Sequence, residues 1–106
     1  YYSSPSRRGA QAFYRENDEE CERFAGIMQK NLNTLGGQTR SLAPLTGDYY
    51  VLNEAEPTAT LVECGFLSNE EDEKLLLTDE YRKEIAQKIA DGIMEYLFVG
   101  SSQKSR

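Results

Sequence analysis

The spacing of hydrophobic and polar residues predicts three strands in this chain. Residues 9–14 (GAQAFY) alternate small or polar side chains with apolar ones, and residues 49–52 (YYVL) have the aromatic and β-branched composition of a strand. Residues 58–66 form a third segment of this kind, with apolar side chains on both faces. Apolar residues on both faces are typical of a central strand that other layers cover on both sides.

Helical spacing predicts a first helix that begins after Asn17 and Asp18, either of which can cap it, and that ends at Gly36 and Gly37. Its apolar face holds residues three and four positions apart: Cys21, Phe24, Ala25, Met28, Leu32 and Leu35. The segment 38–48 then connects this helix to the second predicted strand.

Two further helices are predicted after the third strand. Ser68 and Glu71 match a capping box for a short helix that is rich in acids, and Thr78 is placed to cap a last helix. The last helix has an apolar stripe that steps by four residues and is widened at two positions: Tyr81, Ile85, Ile89, Ile93, Ala86 and Leu97.

The resulting order of strand, helix, strand, strand, helix and helix predicts an α/β fold. Three strands make a thin sheet for these helices, and a central strand needs a neighbour on each side. We therefore expect the chain to form part of a larger sheet. Residues 1–98 are predicted to belong to this portion of a domain, and residues 99–106 to form a polar tail.

Composition excludes several classes of function. The chain has 106 residues and a net charge of -6, so it lacks the basic surface of a nucleic-acid-binding protein. No apolar run approaches the roughly 20 residues that a membrane-spanning helix needs. The chain contains no histidine, so it cannot by itself supply a histidine base, a histidine-activated nucleophile or a histidine-ligated zinc site. Cys21 and Cys64 predict either one disulfide or two buried thiols.

One carboxylate lies in an unexpected position. Glu63 follows Leu61 and Val62 near the end of the third predicted strand, whereas the other acids lie in polar runs, turns or helix faces. Burial of an unpaired charge costs roughly several kcal/mol unless a partner, a metal or a proton offsets it. Glu63 is therefore either paired inside the protein, for example with Arg40, or has a chemical role.

Residues 61–69 (LVECGFLSN) resemble a motif of the zinc-dependent N-acetylmuramoyl-L-alanine amidases, the amidase 3 family. The residues that carry this resemblance are Leu61, Val62, Glu63, Gly65, Phe66, Leu67, Ser68 and Asn69. The strand at 9–14, Arg40 in the connector, the Val-Leu strand at 50–52 and the last helix also resemble the family, so the match covers nearly all of residues 9–97. Within the family, the chain is most similar to the Gram-positive sporulation or germination amidases.

The resemblance implies a fold and an incomplete metal site. The fold would be a mixed sheet flanked by helices, a phosphorylase/hydrolase-like three-layer sandwich, of which this chain is the C-terminal half. The family holds zinc with two histidines and a glutamate, and all three would lie upstream of Tyr1. The resemblance therefore predicts zinc as the cofactor but no zinc ligand in this chain.

The resemblance also implies a reaction, which is hydrolysis of the peptidoglycan amide between N-acetylmuramic acid and L-alanine of the stem peptide. Zinc would polarise the carbonyl and activate water, and Glu63 would take the proton of that water and pass it to the leaving amine. Arg40 could bind the carboxylates of the muropeptide, with a structural salt bridge as an equal alternative. The implied location is extracytoplasmic, in the cell wall or spore cortex.

Other residues have competing interpretations. Cys64 has no histidine partner and lies in an apolar strand, so a packed thiol is favoured over a nucleophile. The acids at 70–73 fit the first turn of a helix better than a calcium-binding loop. Tyr49 and Tyr50 could stack on sugar rings, but tyrosines in strands are more often half-buried.

Two functional hypotheses remain open. In the first, the chain is the C-terminal part of a peptidoglycan amidase, inactive as a fragment alone, whose partner is a missing N-terminal half or an activator. The start at Tyr1 rather than at a methionine and the thin sheet favour this hypothesis. In the second, the chain is a catalytically inactive half-domain that binds a partner or the cell wall. The absence of histidine favours this alternative if the sequence is the entire polypeptide.

Overall fold

The computed structural model describes residues 8–38, 40–65 and 69–104, with residues 99–104 described by their backbone alone. The described chain contains strands and helices in the order β1 (Gln11–Tyr14), α1 (Glu19–Leu32), β2 (Leu45–Thr46), α2 (Tyr50–Glu54), β3 (Leu61–Glu63), α3 (Glu70–Leu76) and α4 (Asp79–Lys104). The predicted α/β class is confirmed.

The three strands form one mixed sheet in the order β2-β1-β3. β1 runs parallel to β2, with Phe13 opposite Leu45, and antiparallel to β3, with Gln11 opposite Glu63. Of the strand predicted over 58–66, Leu61–Glu63 is present as β3, and β1 is its one neighbour in the described chain. Its place as a central strand of a larger sheet stays a prediction. Apolar side chains on both faces of a strand report that the faces are covered, and they do not report how many strands pair with its edges.

The strand predicted over residues 49–52 is a helix instead. Tyr49 is the N-cap of α2, Leu52 is its buried residue, and Tyr50 and Val51 are 81% and 60% exposed. Aromatic and β-branched residues favour strands because they pack on a half-buried pleated surface, and this exposed segment offers no such surface. The strand β2 lies in the segment that was predicted to be a connector, where it pairs with the end of β1.

The predicted start of α1 is confirmed, because the Asp18 carboxylate accepts a hydrogen bond of 2.9 Å from the backbone N–H of Cys21. The predicted apolar face is also confirmed, with Phe24 half-buried and the remaining five residues buried: Cys21, Ala25, Met28, Leu32 and Leu35. The helix ends at Leu32, with Asn33 as its C-cap, so Gly36 and Gly37 follow the helix by one turn rather than end it.

The N-cap of α3 is Asn69, whose side-chain oxygen accepts from the backbone N–H groups of Glu71 and Asp72 at 3.0 and 3.1 Å. The capping box predicted at Ser68 falls outside the described residues. Thr78 lies before α4 as predicted, and its hydroxyl accepts from the backbone N–H of Tyr81 at 3.3 Å.

The apolar stripe of α4 is buried only in its first half. Tyr81 and Ile85 are buried and Ile89 is half-buried, but Ile93 and Leu97 are 40% and 55% exposed. The predicted widening of the buried stripe is likewise wrong at Ala86, which is exposed. In the described chain, α4 approaches α1 and α3 more closely than it approaches any strand.

The later turns of α4 contact α1 through a different face. A Cβ atom at Gly92 would lie 2.8 Å from the Met28 sulfur and 3.3 Å from the Met28 Cα, so the absence of a side chain at this position lets the two helices approach closely. Glu95 accepts a hydrogen bond of 3.2 Å from the Asn31 amide and forms an ion pair with Lys30. The helix continues through Lys104, beyond the boundary at residue 98 where the sequence predicts a polar tail. Among the described helices, none is long and apolar enough to cross a membrane.

The core lies between one face of the sheet and the two long helices. It contains two alanines of the β1 segment and six residues of α1, the turn after α1, and α4 that pack with them: Ala10, Ala12, Ala25, Met28, Leu32, Leu35, Tyr81 and Ile85. The small side chains of the strand allow α1 to pack closely against the sheet, and Tyr81 and Ile85 of α4 complete the core.

A buried amide joins α1 to β1. The Gln29 side chain is 1% exposed, its oxygen accepts from Ala12 N at 2.7 Å and from Gln11 Nε2 at 3.0 Å, and its nitrogen donates to Ala10 O at 3.0 Å. β2 is too short to reach this part of β1. The Gln29 amide therefore takes the place of a neighbouring peptide group and satisfies the buried Ala12 N–H, while the Ala10 carbonyl also accepts from Gln38 Nε2 at 3.1 Å.

We predict that Gln29→Met lowers the free energy of unfolding by about 1–3 kcal/mol, because the Ala12 N–H stays buried and loses its acceptor. Urea unfolding of the two proteins measures the difference. Gln87→Met is the matched control, since Gln87 is exposed on α4, and we expect it to change stability by less than about 0.5 kcal/mol. Equal effects of the two substitutions would contradict the structural role of the Gln29 amide.

A second prediction concerns the stability of the fold at low pH. A hydrogen bond from Arg15, together with that from the Cys21 backbone, lowers the pKa of Asp18 from 3.8 to about 2. The charged carboxylate therefore stabilises the fold fully above pH 4, and this contribution is lost as the pH falls from about 4 to about 2. In Asp18→Asn, thermal unfolding should depend less on pH across this window than it does in the unsubstituted protein. Two curves with the same pH dependence would contradict the assigned capping interaction.

Candidate active site

Glu63 lies at the end of β3 and pairs with Gln11 at the amino end of β1. Residues opposite each other in an antiparallel pair point to the same face, so the side chain of Glu63 shares a face of the sheet with Gln11, Leu61 and Phe13. Glu63 is half-buried. A carboxylate with some solvent access is thus held on a regular strand of the fold.

The described residues place one hydrogen-bond donor beside the Glu63 carboxylate, which is the hydroxyl of Tyr49 at 3.4 Å from Oε1. The Tyr49 ring packs edge-on against Phe13, with ring centroids 5.3 Å apart and an interplanar angle of 68°. A Cβ atom at Gly47 would lie 2.3 Å from a carbon of the Tyr49 ring, so the ring can occupy this position only because residue 47 has no side chain. The side chains of the two candidate sugar-stacking tyrosines therefore point in different directions. That of Tyr49 reaches Glu63, and that of Tyr50 is exposed to solvent.

Arg40 does not join this cluster. It is exposed, and within the described chain it forms no ion pair. The internal pairing of Glu63 with Arg40 that the sequence left open is not observed, and no cation of the described residues pairs with Glu63. Substrate binding by Arg40 stays a prediction.

A different carboxylate, which the sequence analysis did not single out, is fully buried. Asp72 is 2% exposed, accepts a hydrogen bond of 2.7 Å from Gly9 N, and lies 3.5 Å from Arg8 Nε. It ties the first turn of α3 to the segment that enters β1. The sequence does contain a signal for its burial, because Asp72 precedes Leu75 and Leu76 by three and four positions and so lies on the apolar face of α3.

The residues that follow Glu63 pack against α3. Burial raises the pKa of the Cys64 thiol, so this side chain is protonated at neutral pH and fits a packed thiol rather than a nucleophile. Cys64 and Cys21 are both free thiols. A Cβ atom at Gly65 would lie 3.0 Å from Leu76 Cδ1 and 3.3 Å from Asp72 Cβ, so this glycine makes room for α3.

The described residues do not by themselves fit a zinc ion. No group of three or more cysteine, aspartate or glutamate side chains in residues 8–38, 40–65 and 69–104 is close enough to hold a metal, and the sequence has no histidine. The neighbour found beside Glu63 is a tyrosine hydroxyl rather than a set of metal-binding groups. The acids at 70–73 likewise do not provide a calcium site within the described chain.

A polar cleft of about 620 Å³ lies near the carboxyl ends of β1 and β2. Its lining includes Arg15, Thr46, Gly47, Asp48 and Asn53. Because β3 runs antiparallel to β1, the carboxyl end of β3 with Glu63 lies beside the amino end of β1. The cleft and the Glu63 carboxylate therefore lie towards opposite ends of the central strand.

Comparison with known proteins identifies the family. The family model for N-acetylmuramoyl-L-alanine amidase matches residues 2–95. A germination-specific N-acetylmuramoyl-L-alanine amidase of Bacillus subtilis (strain 168) is 37% identical over 95 residues, which is 87% of this chain and 40% of that protein.

Solved structures show the same fold. The CwlD amidase from Clostridioides difficile, determined in complex with the GerS lipoprotein, superposes with a TM-score of 0.85 and 32% identity over 92% of this chain and 50% of that chain. The catalytic domain of CwlV, an N-acetylmuramoyl-L-alanine amidase from Bacillus (Paenibacillus) polymyxa, superposes with a TM-score of 0.80 and 33% identity over 92% of this chain and 53% of that chain.

The chain spans about half the length, or less, of these relatives and solved structures. The match nevertheless includes nearly the whole of the present chain, both in sequence and in fold. It confirms the resemblance that the motif LVECGFLSN carries at residues 61–69. The chain therefore belongs to the N-acetylmuramoyl-L-alanine amidase family, amidase 3.

Proposed function

We propose that this chain supplies the C-terminal part of a peptidoglycan hydrolase that cleaves the amide between N-acetylmuramic acid and L-alanine of the stem peptide. Membership of the amidase family supports this class of reaction. The observation that carries the proposal for this chain is the state of Glu63, a half-buried carboxylate at the end of β3 with no cationic partner among the described residues. A carboxylate that no ion pair neutralises is available to accept a proton.

Glu63 acts in this proposal first as a base and then as an acid. Its carboxylate takes a proton from a water molecule while the water oxygen attacks the carbonyl carbon of the lactyl amide. It then returns the proton to the amide nitrogen as the C–N bond breaks. The products are the free lactyl carboxylate of muramic acid and a stem peptide with a free L-alanine amine. Attachment of Glu63 to a paired strand supports this role, because it holds the carboxylate in a defined position.

The proposal places any zinc ligands outside the present sequence. The residues described here do not make a zinc site, so the metal would depend on the part of the domain that this chain does not include. The share of the solved relatives that is not covered, about half of each chain, is large enough to contain such ligands. No step that Glu63 performs in this proposal requires a metal ligand from this chain.

The setting that we propose is the bacterial cell wall, outside the cytoplasm, and in particular the spore cortex. The similarity to a germination-specific amidase of Bacillus subtilis supports the cortex as the site of action. The solved CwlD amidase is in complex with the GerS lipoprotein, which supports a lipoprotein as the partner of this protein too.

An alternative function is a catalytically inactive half-domain that binds a partner or the cell wall. If the sequence is the entire polypeptide, the absence of histidine from it and of a metal-binding cluster from the described residues favours this alternative. The two functions differ in one measurable property, which is hydrolysis of peptidoglycan by a protein that contains the complete domain.

We predict that Glu63→Gln lowers the rate of stem-peptide release from purified peptidoglycan by at least about 10²-fold, because the amide cannot accept the proton of water. The experiment requires a protein that also carries the amidase segments that are absent from this chain. Bound zinc, measured by atomic absorption, should stay the same in the variant.

Glu71→Gln is the matched control, since Glu71 is an exposed acid on α3, and its rate should equal that of the unsubstituted protein. An active Glu63→Gln enzyme would contradict the assigned role. Loss of zinc from the same variant would instead identify Glu63 as a metal ligand.

A further inference from the structure

Two adjacent tyrosines have entirely different surroundings in this fold. Tyr50 lies in the first turn of α2 and is 81% exposed, whereas Tyr49 is half-buried and its hydroxyl lies 3.4 Å from Glu63 Oε1. The function proposed for Glu63 does not explain this contact. A hydrogen bond to one oxygen of a carboxylate limits rotation of the carboxylate and leaves the second oxygen for other partners.

The Tyr49 ring packs against two neighbours, Phe13 and Gly47. It packs edge-on against Phe13, a residue that is 2% exposed and lies on the same face of the sheet as Glu63. The backbone at Gly47 also lies against the ring, since a Cβ there would lie 2.3 Å from a ring carbon. The ring position is therefore determined by packing, and the hydroxyl has little freedom to leave the carboxylate.

The backbone of Tyr49 is fixed as well, because it is the N-cap of α2. Its carbonyl accepts hydrogen bonds from Leu52 N at 3.0 Å and Asn53 N at 2.9 Å. The far end of α2 is tied to β1 by Arg15, which donates to Leu52 O at 3.2 Å and to Ala55 O at 2.9 Å. These contacts hold α2 near the end of β1, the strand whose Gln11 pairs with Glu63.

We propose that Tyr49 is a positioning residue for Glu63: its hydroxyl donates to Oε1 and orients the carboxylate so that Oε2 faces the proton that is transferred. This inference rests on the function proposed for Glu63. Tyr49 does not itself exchange a proton with substrate. At 3.4 Å the contact is long for a hydrogen bond between oxygens, so its contribution to the rate is modest.

The kinetic test compares Tyr49→Phe with Tyr50→Phe in a protein that contains the complete amidase domain, with a soluble muropeptide as substrate. Tyr49→Phe should lower kcat by roughly three- to tenfold and leave KM unchanged, because it removes an interaction that orients Glu63 without contacting the substrate. Tyr50→Phe removes the same atom from an exposed neighbour and should change neither parameter. An unchanged kcat in Tyr49→Phe, or equal losses in the two variants, would overturn the proposal.

A second test measures the contact without using activity. In urea unfolding of the same protein, Tyr49→Phe should lower the free energy of unfolding more when residue 63 is Glu than after Glu63→Ala. The Glu63→Ala background lacks the carboxylate that accepts the hydrogen bond. Equal destabilisation in the two backgrounds would overturn the contact. If unfolding shows that Tyr49 and Glu63 interact but the protein hydrolyses no muropeptide, the proposed function is overturned, and with it the positioning role in catalysis. The two failures are therefore distinguishable.

Discussion

The peptide groups of β1 are satisfied on one edge by β3 and on the other by β2 and by the carboxamides of Gln29 and Gln38, and this arrangement fixes the positions of the other elements. Gln29 lies on α1, so its hydrogen bonds to Ala10 and Ala12 set the position of that helix relative to the strand. The alanines of β1 then allow α1 to pack on the sheet, and α4 is held against α1 through the close approach at Gly92. An edge of β1 that was left without these partners would bury peptide groups at a cost comparable to the stability of a small domain.

The groups around the candidate active site are all attached to the same strand. β3 carries Glu63 to the amino end of β1, Phe13 supports the ring of Tyr49, and Asp72 fastens α3 to Gly9 just before β1 begins. Glu63 is therefore held by backbone pairing, whereas the groups near it are held by side-chain packing and by one buried carboxylate. This division explains how a short chain of 106 residues can hold a carboxylate in a defined place with three short strands.

The sequence predicted those features that depend on local patterns. The strand of β1, the cap at Asp18, the apolar face of α1 and the family motif around Glu63 were all predicted from spacing, residue type or resemblance, and the structure and comparisons confirm them. The resemblance singled out Glu63 because the motif is contiguous in the chain. Its role in catalysis stays a prediction.

Features that depend on distant contacts were missed. The burial of Asp72 depends on Gly9, which is 63 positions away, and the helical state of α2 depends on its exposure rather than on its strand-like composition. The exposure of Ile93 and Leu97 was missed for the same reason, because a helical stripe predicts which residues share a face but not which of them other elements cover.

The central claim is that the domain to which this chain belongs hydrolyses the bond between muramic acid and L-alanine. The most direct measurement is mass spectrometry of the products that the complete domain releases from purified peptidoglycan in water labelled with heavy oxygen. The account predicts stem peptides with a free L-alanine amine and glycan strands that carry one labelled oxygen in the lactyl carboxylate. Cleavage at any other bond, or no labelled product from a correctly folded, zinc-loaded protein, would contradict it.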